Sequence, residues 1–334
     1  MLRPFISSRT LHGLDAGLTQ SAGRAAARRA LAECDLPADA LDNPRLYISQ
    51  LDELLFLNRI AGMAGTDNLL FALGPYASVR NYGPFGDYVT SAPTFGAALR
   101  MTCELMSYHA SLDRISLGQT GREFRFTYHA AVRNAPGYSH YATLALAVVL
   151  SIATPYIGNR HRRMVALNFP KPRETAGYEA FFGCDVRFDQ PELRLVFDPE
   201  VEFARRIVPA TGDLTLADVA RDAFGSAPQT LVETVRALVR ASLADGPGIE
   251  RVAHQLDMSA RTLRRRLEDQ GTSFRDLARA VRVDMAQELI LFSGLDLTEI
   301  SRRVGYSHVS HLGCAFRQVT GMTPSTARAA QTGR

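Results

Sequence analysis

At 334 residues the chain is long enough for about two domains of ordinary size, and 46% hydrophobic residues can fill a core in each, which excludes a disordered chain. Its cysteines, Cys34, Cys103, Cys184 and Cys314, stand far apart with no C-x-x-C pair, which argues against a zinc knuckle, a dithiol redox motif or a disulfide framework. The net charge is +4, and the whole excess lies in the last third: Gln229–Arg334 holds 15 arginines against 11 acidic residues, leaving 23 of each sign elsewhere.

Near the N-terminus, Arg24, Arg28 and Arg29 sit among alanines without the apolar core or cleavage pattern of a secretion signal, so a cytoplasmic protein is expected. Residues 10–75 read mostly as helices. "AGRAAARRALAEC" is alanine-rich, and "SQLDELLFLNRIAGMAG" carries Leu51, Leu54, Leu55 and Asn58 at helical spacing. Pro37 and Pro44 suit the loop between them. "TSAPTFGAALRMTCELMSYHA" offers Thr90, Ser91 and Thr94 as helix caps and turns Leu99, Leu105 and Met106 inward. In "RISLGQTGREFRFTYHAAV", Phe124, Phe126 and Tyr128 alternate with Glu123, Arg125 and Thr127 after a Gly118–Gly121 turn, which predicts a hairpin.

A buried helix is expected from about Tyr138. Its apolar run, Ala142–Ala153, is too short for a bilayer, which needs ~20 residues. "MVALNF", "DVRF" and "LRLVFD" read as strands and "TAGYEAFF" as a short helix. Their irregular alternation predicts an α+β domain over residues 1–205. Pro209–Pro228 reads as a connector with some helical content, within a linker over 206–228. From residue 229 to the end the pattern is helical throughout.

Two segments of that last third resemble each other with an offset of 48 to 50: "IERVAHQLDMSARTLRRRLEDQGTSF" and "LTEISRRVGYSHVSHLGCAFRQVTGMTP". Val252 matches Ile300, Ala253 matches Ser301, Leu256 matches Val304, Leu263 matches Leu312, Leu267 matches Phe316 and Gly271 matches Gly321. Each copy predicts a short helix, a tight turn and a second helix, with a small residue where the helices cross. That is the helix-turn-helix plan, in which the second helix enters the major groove of DNA. The units are expected at about 249–270 and 297–320. Between them, "FRDLARAVRVDMAQELILF" repeats Leu277, Val281, Met285 and Leu289 every fourth residue, one stripe of a linking helix. An 18-residue helix is ~27 Å long, near the ~34 Å between successive major grooves on one DNA face.

The first recognition helix, "SARTLRRRLED", supplies Arg261, Thr262, Arg264, Arg265 and Arg266. Arg261, Arg264 and Arg265 share one face, and guanidinium groups match phosphates and guanine edges. The second supplies His308, Val309, Ser310, His311, Cys314 and Arg317. His308 and His311, with Cys314 three residues on, have a metal-like spacing but no carboxylate to complete a set, so groove or phosphate contacts are expected in place of a metal. Ser139–His140 is not built as a hydrolase dyad. No G-x-S-x-G, P-loop, G-x-G-x-x-G or H-E-x-x-H motif occurs, so no catalytic residue and no cofactor is expected.

Residues 249–328 resemble the DNA-binding domain of AraC/XylS transcription regulators, in "SARTLRRRL", Arg282, Ala286 and Leu289, "EISRRVGYSHVSHLGCAFRQVTGMTP" and Arg328. "APTFGAALR" and "YEAFFGCDVRFDQPELRLVFD" resemble the N-terminal effector domain of the subgroup named after arabinose binding. The chain departs from the family at Val309, Ser310 and Cys314, where polar or basic readers are frequent, and at Val319 and Ala327, where aromatics are frequent. Phosphate contacts from Arg302, Arg303 and Arg317, or Val309 against a thymine methyl, are the alternative for that unit. The resemblance implies an α+β effector or dimerisation domain joined to an all-α domain with two helix-turn-helix units, acting on double-stranded promoter or operator DNA. It implies RNA polymerase, a small organic effector and a second copy of the chain as further partners, no membrane, and activation as the sign of regulation. Repression and a ligand-independent dimeric regulator are the alternatives, and an enzyme domain fused to the helix-turn-helix module is the distant one. Tyr82, Tyr88, Tyr108, Arg125, Tyr128 and His129 are candidates to line an effector pocket.

Overall fold

Alternation of apolar and polar residues forces a strand to bury one face, and the hairpin around Gly121 does so in the computed structural model. The structure describes residues 3–207, 214–222, 227–228, 230–243, 248–293 and 295–332. They fall into two units, Arg3–Ala227 and Pro228–Arg334.

In the first unit, strands β1 (Phe5–Ser7) and β2 (Tyr47–Ser49) form a small antiparallel pair. A five-stranded sheet is built from β3 (Arg114–Thr120), β4 (Glu123–His129), β5 (Arg162–Ala166), β6 (Asp185–Arg187) and β7 (Leu193–Phe197), in the order β3-β4-β7-β5-β6. Only β5 and β6 pair in parallel. Phe124, Phe126 and Tyr128 of β4 are buried, as is Phe197 of β7, and Phe95 meets Phe124 and Phe197 edge-on at 6.3 and 5.2 Å. Phe95 opens the helix Phe95–Glu104, whose cap is Thr94 and not Thr90 or Ser91, since the Thr94 hydroxyl accepts from the Ala97 amide at 3.2 Å. The helix Tyr138–Ile157 packs on β7 and on the helices Gln50–Ala64 and Phe95–Glu104. At 20 residues it is longer than its apolar run suggested and could cross a bilayer by length and composition alone, but here it is mostly buried as a core helix.

The helix Gln50–Ala64 turns a different face inward from the one its leucines suggested. Leu55 and Asn58 are exposed, whereas Glu53, Leu54, Phe56, Leu57 and Ile60 are buried. Of the connector read over Pro209–Pro228, residues 209–213 and 223–226 lie outside the described residues. Leu216–Asp222 is a helix of the first unit, with Val219 in its core and Asp222 accepting from Arg9 Nη2 at 2.5 Å.

The second unit is helical throughout its described residues: Leu231–Ala241, Ile249–Gln255, Ala260–Glu268, Phe274–Phe292, Leu297–Arg303, Val309–Thr320 and Pro324–Thr332. The internal repeat is visible in its backbone hydrogen bonds. Asp257 and Gly305 are both left-handed, at φ +52° and +78°. After them, the Met258 amide donates to Ala253 O at 3.0 Å and the Tyr306 amide to Ser301 O at 2.9 Å, the same helix-ending turn in each copy. Ala253 and Ser301 are buried at the crossings, and Gly271 and Gly321 end the second helices at φ +73° and +78°.

The linking helix, Phe274–Phe292, departs from the expected stripe. Leu277 and Val281 are buried, Met285 and Leu289 only half so, and Val283, Ala286 and Ile290 are buried in their place. A step of four residues overshoots a 3.6-residue turn by about 40°, so a stripe at that spacing winds away from a straight contact.

Gly305→Ala puts a methyl 2.9 Å from Leu243 O at a left-handed residue, whereas Gly271→Ala meets nothing within 4 Å. Backbone strain should cost about 1–2 kcal/mol at either position in urea unfolding. The Gly305 variant should lose more, and equal losses would show that the close approach at Gly305 is free to relax.

Candidate functional site

The first recognition helix, Ala260–Glu268, begins where the Ser259 hydroxyl accepts from the Thr262 amide at 3.1 Å. Thr262, one of the candidate readers, is half-buried and exchanges a hydroxyl hydrogen bond with Ser259. Leu263 and Leu267 are fully buried and fix the rotation of the helix about its axis. At about 100° per residue, Arg265 points almost directly away from that seam with Arg261 beside it, while Arg264 and Arg266 lie on the two flanks. All four arginines are exposed, and none forms an ion pair among the described residues. The result is an unpaired cationic ridge held on a rigid apolar base.

The second recognition helix, Val309–Thr320, is anchored by Leu312, Ala315 and Phe316. Its outward ridge carries Ser310, Cys314 and Arg317, all exposed, with Val309 half-buried at the start. With the offset of 49 that applies here, Ser310 and Cys314 stand where the first copy has Arg261 and Arg265. His308 and His311 are exposed beside the ridge and meet edge-to-face at 5.4 Å. Arg302 and Arg303, the alternative phosphate contacts, are both held by Glu299, at 2.7 Å each, and this pairing drops the Glu299 carboxyl to about 2. Arg317 has no such partner among the described residues.

A second candidate site lies in the first unit. It is a cavity of about 70 Å³ (the volume open to the centre of a water molecule), with walls that include Leu57, Leu144, Val148 and Ile152. Of the six effector-pocket candidates, only Tyr82 and Tyr128 line it. Arg125 and His129 project from β4 on the face opposite Phe126 and Tyr128. Arg125 pairs with Glu123 at 3.2 Å and His129 lies 3.5 Å from Ser116 Oγ. Tyr108 sits at a small neighbouring pocket with Asp222, and Tyr88 packs half-buried against the core elsewhere.

The residues that give the cavity its chemistry are others: Glu53, His109, Arg9 and Tyr141. Burial pushes the Glu53 carboxyl up to about 8, against a hydrogen bond from Thr10 and with the charge of Asp113 adding to the rise. Burial, helped by the Arg9 charge, pushes His109 down to about 4. Glu53 Oε2 and His109 Nδ1 are buried without a hydrogen-bond partner among the described residues. One sequence signal could have found Glu53: it lies three, four and seven positions before Phe56, Leu57 and Ile60, on their helical face. The wall behind the cavity is organised by Asp113, whose Oδ2 accepts from Gln50 Nε2, Tyr128 OH and Tyr141 OH at 2.8, 2.5 and 2.8 Å. Its Oδ1 accepts from the Ala131 amide at 2.8 Å.

Residues 25–202 match the family described as the arabinose-binding domain of AraC transcription regulators, N-terminal, and residues 252–330 match a helix-turn-helix domain family. The chain is similar to the ornithine utilization regulator of Pseudomonas aeruginosa, 27% identical over 304 residues, which are 87% of either chain. It is similar to the transcriptional regulator VqsM of the same species, 26% identical over 282 residues, or 80% of this chain and 85% of that one. It is also similar to the transcriptional regulator VirS of Mycobacterium tuberculosis, 27% identical over 258 residues, or 74% of either chain.

Glu53 makes stability depend on pH. In the unfolded chain its carboxyl ionises above the ordinary value of 4.5, while in the folded chain it stays protonated to about 8, so the folded state loses stability as pH rises across that window. Glu53→Gln removes this dependence. The melting temperature of the variant should gain on that of the wild type between pH 5 and 8, by ~2 °C or more. A gap that shrinks with rising pH would mean that Glu53 is ionised in the folded protein.

Proposed function

The chain belongs to the AraC family of DNA-binding transcription regulators, with an N-terminal domain of the arabinose-binding type, and from that premise we propose that Ala260–Glu268 is its principal reader of promoter DNA. The observation that carries this reading is the set of unpaired arginines, with Arg261 and Arg265 opposite a fully buried leucine seam and Arg264 and Arg266 on its flanks. Arg265, at the crest, reads a guanine edge. Arg266, on the flank, holds a phosphate. The second helix-turn-helix unit contributes through Arg317 and through the shape of its neutral ridge at Val309, Ser310 and Cys314. Thr262, His308 and His311 are peripheral to base readout. The protein acts as an activator that engages RNA polymerase, and it does so in the cytoplasm. The cavity of the first unit, with Tyr82 and Tyr128 in its wall, holds a small-molecule effector. Its apolar walls and two unpartnered polar atoms support that reading.

The test is a selection of bound sequences from random duplex DNA, followed by binding titrations. Arg265→Ala should weaken specific binding by ~1–3 kcal/mol and blur a few positions of the motif. Ser310→Ala should do much less. Arg266→Ala should weaken binding to all sequences alike and lower the salt slope by about one, with the motif intact. Equal losses at Arg265 and Ser310 would remove the distinction between the two helices.

A further inference from the structure

We propose that the cavity of the first unit binds a primary amine carried on a short apolar chain, with its ammonium group seated between Glu53 and His109. This rests on the reading of the cavity as an effector site and names the chemistry of the occupant. The walls are aliphatic along most of their extent, which calls for a hydrocarbon body. The space open to the centre of a water molecule, about 70 Å³, leaves room for a short unbranched chain.

The polar end is specified by two buried atoms of cavity-lining residues that have no hydrogen-bond partner among the described residues, Glu53 Oε2 and His109 Nδ1. Leaving such atoms unpaired is costly, so a ligand that pairs both gains what the empty site lacks. A neutral imidazole protonated on Nε2 offers Nδ1 as an acceptor, and a carboxylate is an acceptor only. Two acceptors lining one cavity match an ammonium group, which has three donors and no acceptor. An alcohol can accept the proton of the neutral Glu53 carboxyl and donate its own to His109, but it forms no ion pair there and is expected to bind more weakly than the ammonium. A carboxylate ligand would need a free cation. Arg9 is the only arginine lining the cavity among the described residues, and it is engaged by Asp222 at 2.5 Å. A carboxylate ligand would also face the Glu53 carboxyl.

Proton balance follows from the same geometry. The buried carboxyl of the empty site holds its proton. As the ammonium arrives already charged, Glu53 gives that proton to solvent and pairs as the carboxylate, so one proton is released for each amine bound. Glu53 is faced by Thr10, Asp113, Arg9, His109, Tyr82 and Tyr141. His109 is already neutral at pH 6, and burial holds both phenols in their protonated form, so the carboxyl is the group that changes state on binding.

The experiment is titration calorimetry of the full chain with hexylamine, hexan-1-ol and hexanoate, in two buffers of different ionisation enthalpy. Hexylamine should bind at least ~10-fold tighter than the other two and release about one proton at pH 7. Its affinity should rise by up to ~10-fold per pH unit from pH 6 toward 8. Glu53→Gln should abolish the amine preference and the proton release while keeping the weak binding of hexan-1-ol, which reports an intact cavity. If that variant fails to fold, the comparison of the three ligands on the wild type decides alone. Hexanoate or hexan-1-ol binding as tightly as hexylamine, or amine binding without proton release, overturns the amine assignment and leaves the cavity as an effector site. Binding of none of the three overturns both.

Discussion

The linking helix, Phe274–Phe292, is the constraint on which the geometry of the second unit depends. Its C-terminal half is clamped into one apolar cluster with the second helix-turn-helix, where Val283, Ala286 and Ile290 meet Ile300, Val304, Leu312 and Phe316. Along its length it also packs against Leu231–Ala241 and the C-terminal helix Pro324–Thr332. Arg236–Asp284 and Arg240–Glu288 tie Leu231–Ala241 to it at 2.8 and 2.5 Å. The Arg236 pair is well exposed, and pairs of that kind contribute at most about 1 kcal/mol, whereas each fully buried aliphatic side chain contributes roughly 1.5–3 kcal/mol. The placement of the second helix-turn-helix on the linking helix is therefore set by packing, and the ion pairs are a secondary restraint on the register of Leu231–Ala241. Nineteen helical residues span roughly 28 Å, the length of the rod that links the two helix-turn-helix units.

In the first unit the corresponding constraint is the Asp113 carboxyl. It gathers donors from the start of Gln50–Ala64, from β4, from Tyr138–Ile157 and from the loop after β4, and so it joins four parts of the fold behind one wall of the cavity. Both oxygens of Asp113 accept hydrogen bonds, which makes that wall stiff. In front of it, Glu53 and His109 are left with unpaired atoms in the same low-dielectric surroundings. A fold that satisfies one buried carboxyl so thoroughly and leaves another open has not merely run short of donors. The local cost is borne at the cavity, where strain and unpaired groups commonly mark sites of function.

Much of this was legible in the residues. The β3–β4 hairpin follows from the alternation of Phe124, Phe126 and Tyr128, and the helix-turn-helix pair from a repeat that also fixes the position of its left-handed turns at Asp257 and Gly305. β1 and β2 were not legible, because three residues such as Phe5–Ser7 carry too little periodicity to separate strand from loop. The inward face of Gln50–Ala64 was misjudged because a glutamate among leucines reads as a solvent position, and its burial is a tertiary fact. That Arg125 and His129 do not line this cavity has a simpler reason. Arg125, His129 and Tyr128 are close in sequence, but a strand sends consecutive side chains to opposite faces, so only Tyr128 reaches the cavity.

The two copies of the helix-turn-helix have diverged in a way that separates structure from function. At the inward positions they remain interchangeable in kind: Leu263 and Leu312, Leu267 and Phe316, Ala253 and Ser301 are all buried. At the outward positions they differ sharply, with Arg261 and Arg265 in one copy and Ser310 and Cys314 in the other. Packing tolerates exchange among side chains of similar size and polarity, so the inward set is held by the need to cross two helices closely. The outward set is free of that need and is shaped by whatever the surface touches. A surface that served only solubility would intersperse both signs of charge, as Glu299 does with Arg302 and Arg303 beside the second unit. The ridge of Ala260–Glu268 instead gathers guanidinium groups and leaves them without carboxylates among the described residues. That concentration on one helix face explains how a chain with a net charge of only +4 can present a strongly cationic edge. The two second helices thus present different surfaces: Ala260–Glu268 carries four exposed guanidinium groups, and Val309–Thr320 a largely neutral ridge with Arg317.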